Sequence, residues 1–176
     1  MAEIRPASQR SLALNDAPAP SWEEVLERLK EGASHSPSIN GTYWLSTVRP
    51  DARPHVMPLF GVWLDGAMYF CSGPAARKAR NIAVSPHCVI TCGARDYDII
   101  IEGDATKVTD EARLQKVADE YAAKYGWQVT VRNAAFDAEY GAPSAGPPPF
   151  EVYEVVPATV FALGTSMPFG AARWQF

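Results

Sequence analysis

Between Gly66 and Arg95 this chain has no aspartate or glutamate, although 20 of its 176 residues are acidic and its formal net charge is −4. An acidic balance argues against general nucleic-acid binding, which draws on an excess of Lys and Arg to neutralise phosphates. No apolar run approaches the ~20 residues needed to cross a bilayer. The opening Met1-Ala-Glu-Ile-Arg-Pro6 lacks a basic segment followed by an apolar core, so a cytoplasmic, membrane-free protein is expected. Gly-x-x-x-x-Gly-Lys, Gly-x-Gly-x-x-Gly and Gly-x-Ser-x-Gly elements are missing, and no His, Cys, Asp or Glu set has metal-ligand spacing. That leaves no signature of a nucleotide hydrolase, a dinucleotide fold, a serine hydrolase or a metal centre.

Cysteine is scarce: Cys71, Cys88 and Cys92 only. Cys88 and Cys92 bracket a strand-like Cys-Val-Ile-Thr-Cys, which puts them ~13 Å apart at ~3.3 Å per residue, too far for a disulfide. All three read as small buried hydrophobes in a reducing compartment.

What is present is the composition of one soluble globular domain, 47% hydrophobic and 20% charged. Residues 1–20 read as an extended or mobile N-terminal arm and residues 21–176 as a single domain. Ser21-Trp-Glu-Glu24 has the form of a capping box, and Trp22, Val25, Leu26 and Leu29 share a helical face before Gly32. From Gly41 the chain turns to β-branched and aromatic residues. Thr42–Val48, His55–Leu64 and Ala67–Cys71 predict a three-strand meander closed by an Asp65-Gly66 hairpin. A short helix is expected after Pro74, then strands at Cys88–Cys92 and from Tyr97 towards Val108. Thr109–Gly126 is the clearest helix, with Leu114, Val117, Ala118, Tyr121 and Tyr125 on one side. A Pro-rich loop at 141–149 and strands at Glu151–Val156 and Thr159–Leu163 complete the chain. Six or so short strands with few helices predict a mainly β barrel or sandwich.

The acid-free span carries Arg77, Lys78, Arg80 and Arg95. A helix start after a small-residue turn offers free N–H groups and a positive dipole end, and Ser72 adds a hydroxyl. Arg77 and Lys78 add formal charge, so the block fits an anion cradle. It fits equally a solvated helix face with ordinary surface charge. Pro58, inside His55-Val-Met-Pro-Leu-Phe60, removes a ladder donor and marks an edge, a bulge or a backbone approached by something other than a strand. The C-terminal Arg173-Trp-Gln-Phe176 carries two aromatics that water disfavours, so the tail is expected to be tucked in. His35 and His87 have no partner pattern, and His87 reads as structural.

Together, Pro54–Gly66, the Ser72…Arg77-Lys-Ala-Arg-Asn-Ile82 block, Ser85-Pro-His-Cys-Val89, Glu102-Gly-Asp-Ala105 and Arg173-Trp-Gln-Phe176 resemble the pyridoxamine 5′-phosphate oxidase-like split β-barrel superfamily. The similarity runs from about Trp44 to the C-terminus and is nearest to the flavin/deazaflavin oxidoreductase branch. The resemblance implies a mainly β fold with flanking helices, a six-stranded antiparallel split β-barrel forming a homodimer, with cofactor sites at the subunit interface. It implies that Arg77 and Lys78 bind the cofactor phosphate with Ser72 as a further contact. His55, Val56, Met57 and Pro58 would lie against the ring system, and Arg173 and Trp174 would reach the cofactor region. The implied cofactor is coenzyme F420, with FMN as the alternative, and Arg80 and Arg95 are candidates to attract the polyglutamate tail of F420. The implied reaction is hydride transfer to an electron-poor double bond of a small organic substrate, with Tyr43 and His55 as candidate proton donors. The Arg-x-x-Leu-Leu-Lys-like strand of the pyridoxal-phosphate-forming oxidases is replaced by His55–Phe60, which argues against that reaction. The segment from Trp127 to Phe150 is expected to be a long loop that shapes the substrate pocket. A non-catalytic flavin- or haem-binding protein, and a structural dimer whose basic stretch meets a protein partner, are the rival readings.

Overall fold

Ser21 starts the first helix by local chemistry. Its hydroxyl accepts from the Glu24 N–H at 3.2 Å and its own N–H donates to the Glu24 carboxylate at 2.7 Å, a closed capping box. The helix that follows, α1 (Trp22–Glu31), buries Trp22, Val25, Leu26 and Leu29. The computed structural model describes residues 4–13, 16–33, 41–141 and 145–176; His35 and residues 142–144 of the Pro-rich loop lie outside the described residues.

Beyond α1 come β2 (Tyr43–Val48), β3 (Pro54–Leu59), β4 (Gly61–Leu64), β5 (Ala67–Ser72), α2 (Arg77–Val84), β6 (His87–Ala94), β7 (Tyr97–Lys107) and α3 (Glu111–Tyr125). A small hairpin, β8 (Thr130–Arg132) and β9 (Ala135–Asp137), precedes β10 (Glu151–Gly164) and β11 (Ala171–Gln175), and β1 (Ser8–Ser11) lies ahead of α1. Pairing is antiparallel throughout. It runs β3-β2-β6-β7-β10-β5-β4, with the consecutive strands β3 and β4 at its two ends, joined at the Phe60–Gly61 corner. β11 and then β1 extend the sheet outward from β10.

Several elements differ from the sequence reading. The run His55–Leu64 is two strands, because at Phe60–Gly61 the backbone leaves the β2 ladder and bonds to helix side chains. Tyr121 Oη donates to the Phe60 carbonyl at 2.8 Å, Tyr125 Oη donates to the Gly61 carbonyl at 2.7 Å, and the Gly61 N–H donates back to Tyr125 Oη at 3.2 Å. The two strands expected after the Pro-rich loop are one, β10, which passes Pro157 by a register shift rather than ending there. The expected N-terminal arm contains β1, tied to β11 by register Ser8↔Gln175 to Ser11↔Ala172. The expected loop after Trp127 contains the β8–β9 hairpin. The Asp65-Gly66 turn is as expected: both residues have positive φ, 50° and 85°, the conformation a two-residue hairpin turn demands.

Two cores result. One fills the barrel beneath α1, with Tyr43, Leu45, Met68, Phe70, Ile90, Ile99 and Trp174 among its members. The other lies between the β4–β5 side and α3, around Tyr69, Leu114, Val117, Tyr121 and Phe136. β5 serves both, which is why its sequence is continuously apolar rather than alternating. Cys71, Cys88 and Cys92 are free thiols, Cys88 and Cys92 buried and Cys71 half-buried.

Candidate functional site

α2 begins without a side-chain cap: Ala76 stands at the N-cap and the first turn holds no acid. The turn ahead of it is closed by the Ala76 N–H donating to the Gly73 carbonyl at 3.0 Å, and the buried Ser72 hydroxyl donates to the same carbonyl at 3.3 Å. Arg77 and Lys78 therefore stand on a helix start whose N–H groups are open and positively polarised. Neither is engaged by a carboxylate among the described residues. Burial pulls the Lys78 pKa below its usual value. That is the signature of a cation held partly out of water without an anion to repay it.

One turn further on, Asn81 is fully buried and its Nδ2 donates to Thr47 Oγ1 of β2 at 3.0 Å. Thr47 stands opposite His55 of β3, with Oγ1 3.5 Å from His55 Nδ1 and 3.4 Å from the His55 carbonyl. The chain α2–β2–β3 thus brings the basic block and the Pro58 strand to one place. His55 is held below the usual histidine range by burial first, then by Arg49, Lys78 and Arg77. Burial and the three cations act in the same direction.

Among the described residues β3 is an edge, paired only with β2. Strand alternation divides the four expected ring-contacting residues: His55 and Met57 share the side of Thr47 and Leu45, while Val56 and Pro58 share the outer side with Ser46 and Trp44. Val56 is 50% exposed and Trp44 46%. On that outer side the register continues through Thr91, Ile100 and Phe161 to Arg173, so one sheet face carries Pro58 near one edge and Arg173 near the other.

Three expected site residues sit elsewhere. Trp174 is fully buried in the barrel, 5.7 Å ring to ring from Trp22, whereas its neighbour Arg173 faces outward. Adjacent residues of a strand point to opposite faces, so the pair cannot reach one ligand from β11 together. Tyr43 is also fully buried; its hydroxyl accepts from Lys124 Nζ at 2.9 Å and from the Ala33 N–H at 3.3 Å, and burial pushes its pKa well up. It is a core residue. Arg95 is engaged by Glu31 at 2.6 Å, while Arg80 stays exposed. The sequence reading missed Thr47, Arg49 and Asn81. The signals were there: Thr47 and Arg49 continue the inward period of two from Tyr43 and Leu45, and Asn81 lies three and four residues after Lys78 and Arg77 on the helix.

Near the turn before α2, Pro74, Lys107, Arg132, Asp137, Pro149 and Glu151 line a cleft of about 330 Å³. Its walls carry two ion pairs, Lys107–Glu151 at 2.6 Å and Arg132–Asp137 at 3.6 Å. His87 pairs with Asp104 at 2.5 Å, exposed on the sheet. Among the described residues no helix is long and apolar enough to cross a membrane.

This chain belongs to the pyridoxamine 5′-phosphate oxidase family, whose model matches residues 38–164. The family is one of flavin-binding oxidoreductases on a split β-barrel. Among solved structures the chain is similar to a pyridoxamine 5′-phosphate oxidase-related, FMN-binding protein from Nostoc punctiforme, at 20% identity and a TM-score of 0.56, covering 87% of this chain and 88% of that one. It is similar to an F420 reductase at 21% identity and a TM-score of 0.50, covering 76% and 94%. An FAD-binding protein from Mesorhizobium loti aligns over 96% and 98% at 13% identity and a TM-score of 0.56. No curated protein matches the chain.

Proposed function

We propose that this protein is an oxidoreductase that uses coenzyme F420 to transfer a hydride to an electron-poor double bond of a small organic substrate. The observation that carries the reading is Arg77 and Lys78, without carboxylate partners among the described residues, at an uncapped helix start joined through Asn81 and Thr47 to the edge strand β3. Those residues fit a cofactor with a phosphate at one end and a flat ring at the other. Arg77, Lys78 and the α2 N–H groups would hold the phosphate, with Ser72 fixing the turn beneath it. The β3 backbone at His55–Pro58 would lie against the ring, because an edge strand carrying proline offers a surface that another strand cannot occupy.

When bound, the reduced ring supplies the hydride, from C5 of the deazaflavin or from N5 of FMN. The protein orients that ring and excludes water. His55, neutral near pH 7 since its pKa is lowered, is the side chain beside β3 that can pass a proton; Tyr43 is enclosed in the core. Arg132, Asp137 and Pro149, which line the cleft beside Pro74, would be the contribution of residues 127–150 to the substrate pocket.

The working unit in this reading is a cytoplasmic homodimer. Trp44, Val48 and Val56 are between 42% and 50% exposed on one sheet face, and large apolar side chains gathered in this way favour a partner surface. A second copy packed on that face would bring its Arg173 towards the first copy's cofactor.

FMN is the alternative cofactor, favoured by the likeness to FMN-binding relatives. Fluorescence titrations of the purified protein with F420 and with FMN, at low and moderate salt, separate the two. Tight F420 binding that is lost in Lys78→Ala supports the reductase; selective FMN binding moves the protein to the flavin branch. Retention of flavin or haem without turnover of any acceptor marks a carrier. Binding of neither cofactor ends the reading.

A further inference from the structure

Tyr121, Lys124 and Tyr125 share one face of α3, and all three reach the corner where β3 gives way to β4. Tyr121 Oη donates to the Phe60 carbonyl, while Tyr125 Oη and Lys124 Nζ both donate to the Gly61 carbonyl, at 2.7 and 3.0 Å. The amine is closely packed. A Cβ built on Gly32, at the end of α1, would lie 2.6 Å from Nζ, and Nζ stands over the rings of Tyr43 and Tyr125, 4.6 and 5.2 Å from their centres.

Tyr43 limits what this amine can be. A phenol has one proton to give and two lone pairs. The Ala33 N–H fills one lone pair of the buried Tyr43 hydroxyl at 3.3 Å, and Lys124 Nζ lies at 2.9 Å. An ammonium has donors only, so it takes the second lone pair and leaves the Tyr43 proton without an acceptor among the described residues. A neutral amine has a lone pair of its own. Tyr43 then donates to Nζ, Nζ donates to the Gly61 carbonyl, and each group from Ala33 to Gly61 is satisfied.

The ring faces favour a charge on Lys124 and burial opposes it. Burial prevails, pulling the Lys124 pKa down to about 8 against smaller opposing effects of Cys92 on β6 and Glu120 on α3. Around the amine, burial also pushes Cys92 and Tyr125 up to about 12, and Tyr43 and Tyr121 well up. Among the amine, the phenols and this thiol, Lys124 alone titrates between pH 7 and 9.

We infer that Lys124 is a positioning residue for β3: as a neutral amine it takes the Tyr43 proton, gives one of its own to the Gly61 carbonyl, and so fixes the end of the strand. The inference rests on the proposed function for what lies against β3, though not for the corner itself. Opening the corner returns the amine to water and to an ordinary lysine's affinity for protons. The open form therefore binds the proton more tightly than the closed form, and the corner closes more firmly as pH rises through 8.

The test is deuterium exchange of the Gly61 amide, corrected for its intrinsic rate, at pH 7 and pH 9 in the wild-type protein, Lys124→Met and Lys124→Arg. Linkage predicts a rise in wild-type protection on the order of 10-fold between the two pH values. Both variants should show no such rise, since the thioether carries no charge and the guanidinium keeps its charge throughout. If Lys124→Met fails to fold, Lys124→Arg carries the comparison. Equal wild-type protection at the two pH values overturns the assignment, and so does an equal rise in the variants, because another group would then be titrating. Saturating FMN reads the link to the ring: a ring resting on β3 should raise Gly61 protection at pH 7, and protection that ignores bound FMN overturns the positioning role while leaving the cofactor reading intact. If the protein binds neither FMN nor F420, the cofactor reading fails and the pH dependence at Gly61 decides Lys124.

Discussion

Asn81 of α2 and Thr47 of β2 are joined by a hydrogen bond of 3.0 Å, and this one contact locks the basic helix against the barrel at the strand facing His55. Both residues are buried. Asn81→Ala leaves a small void and removes the donor to the Thr47 hydroxyl, which still donates to the His55 carbonyl, so the predicted loss is that of one hydrogen bond, about 1 kcal/mol. Urea unfolding should show a lower midpoint with an unchanged slope. A midpoint equal to wild type would show that α2 is held by something else.

The corner between β3 and β4 is held by two phenols of α3, Tyr121 at Phe60 and Tyr125 at Gly61. Tyr125 Oη both accepts from the Gly61 N–H and donates to the Gly61 carbonyl. Lys124 Nζ also donates to that carbonyl, at 3.0 Å, so Tyr125→Phe leaves the N–H as the orphan. The expected cost is about 1–3 kcal/mol, and the Gly61 amide should exchange with deuterium faster than its β4 neighbours. Unchanged protection at Gly61 contradicts the clamp.

The three thiols lower stability at alkaline pH. Burial pushes Cys71, Cys88 and Cys92 each up to about 12, whereas the unfolded chain ionises them near 9. Between those values the unfolded state gives up protons that the native state keeps, so stability falls as pH rises through that window. Lys124, pulled down to about 8 by burial, acts in the opposite sense: the unfolded chain keeps its proton longer, and its contribution grows above pH 8. Cys92→Ala should therefore flatten the fall by up to about 1.4 kcal/mol per pH unit. Urea unfolding under reducing conditions between pH 9.5 and 10.5 measures the slope; identical slopes in wild type and variant refute the assignment.

The outer sheet face predicts assembly. Trp44→Glu or Val56→Glu places a charge among the apolar groups of that face and should convert a dimer to a monomer in sedimentation, with cofactor affinity falling alongside. A wild-type protein that sediments as a monomer at micromolar concentration removes the dimer from the proposal.

Local chemistry made some elements legible. Ser21 and Glu24 announced α1, and the apolar face of α3 with Gly126 after it, at φ 66°, announced that helix. The basic block could be read because its charges are contiguous and no acid interrupts them. β1 was hidden because Ser8–Ser11 is polar, exposed and paired with residues more than 160 positions away. The β8–β9 turn is Asn133-Ala134, both at positive φ, where the expected signal is Asn-Gly. The β3–β4 break was invisible because its hydrogen bonds come from tyrosines of α3. Trp174 was misplaced by treating Arg173 and Trp174 as a unit, although strand alternation separates them.

Pro54 and Pro58 lie four residues apart on β3, the strand that ends the sheet. Residues 54, 56 and 58 turn their backbones to the same side, and proline sits in a strand where that side is unpaired. Of those three positions, Val56 alone offers an N–H to a newcomer. An exposed apolar edge is the usual seed for runaway strand addition between chains. Here the two prolines deprive that edge of the ladder such growth requires, so the rim at β3 resists the addition of a further strand.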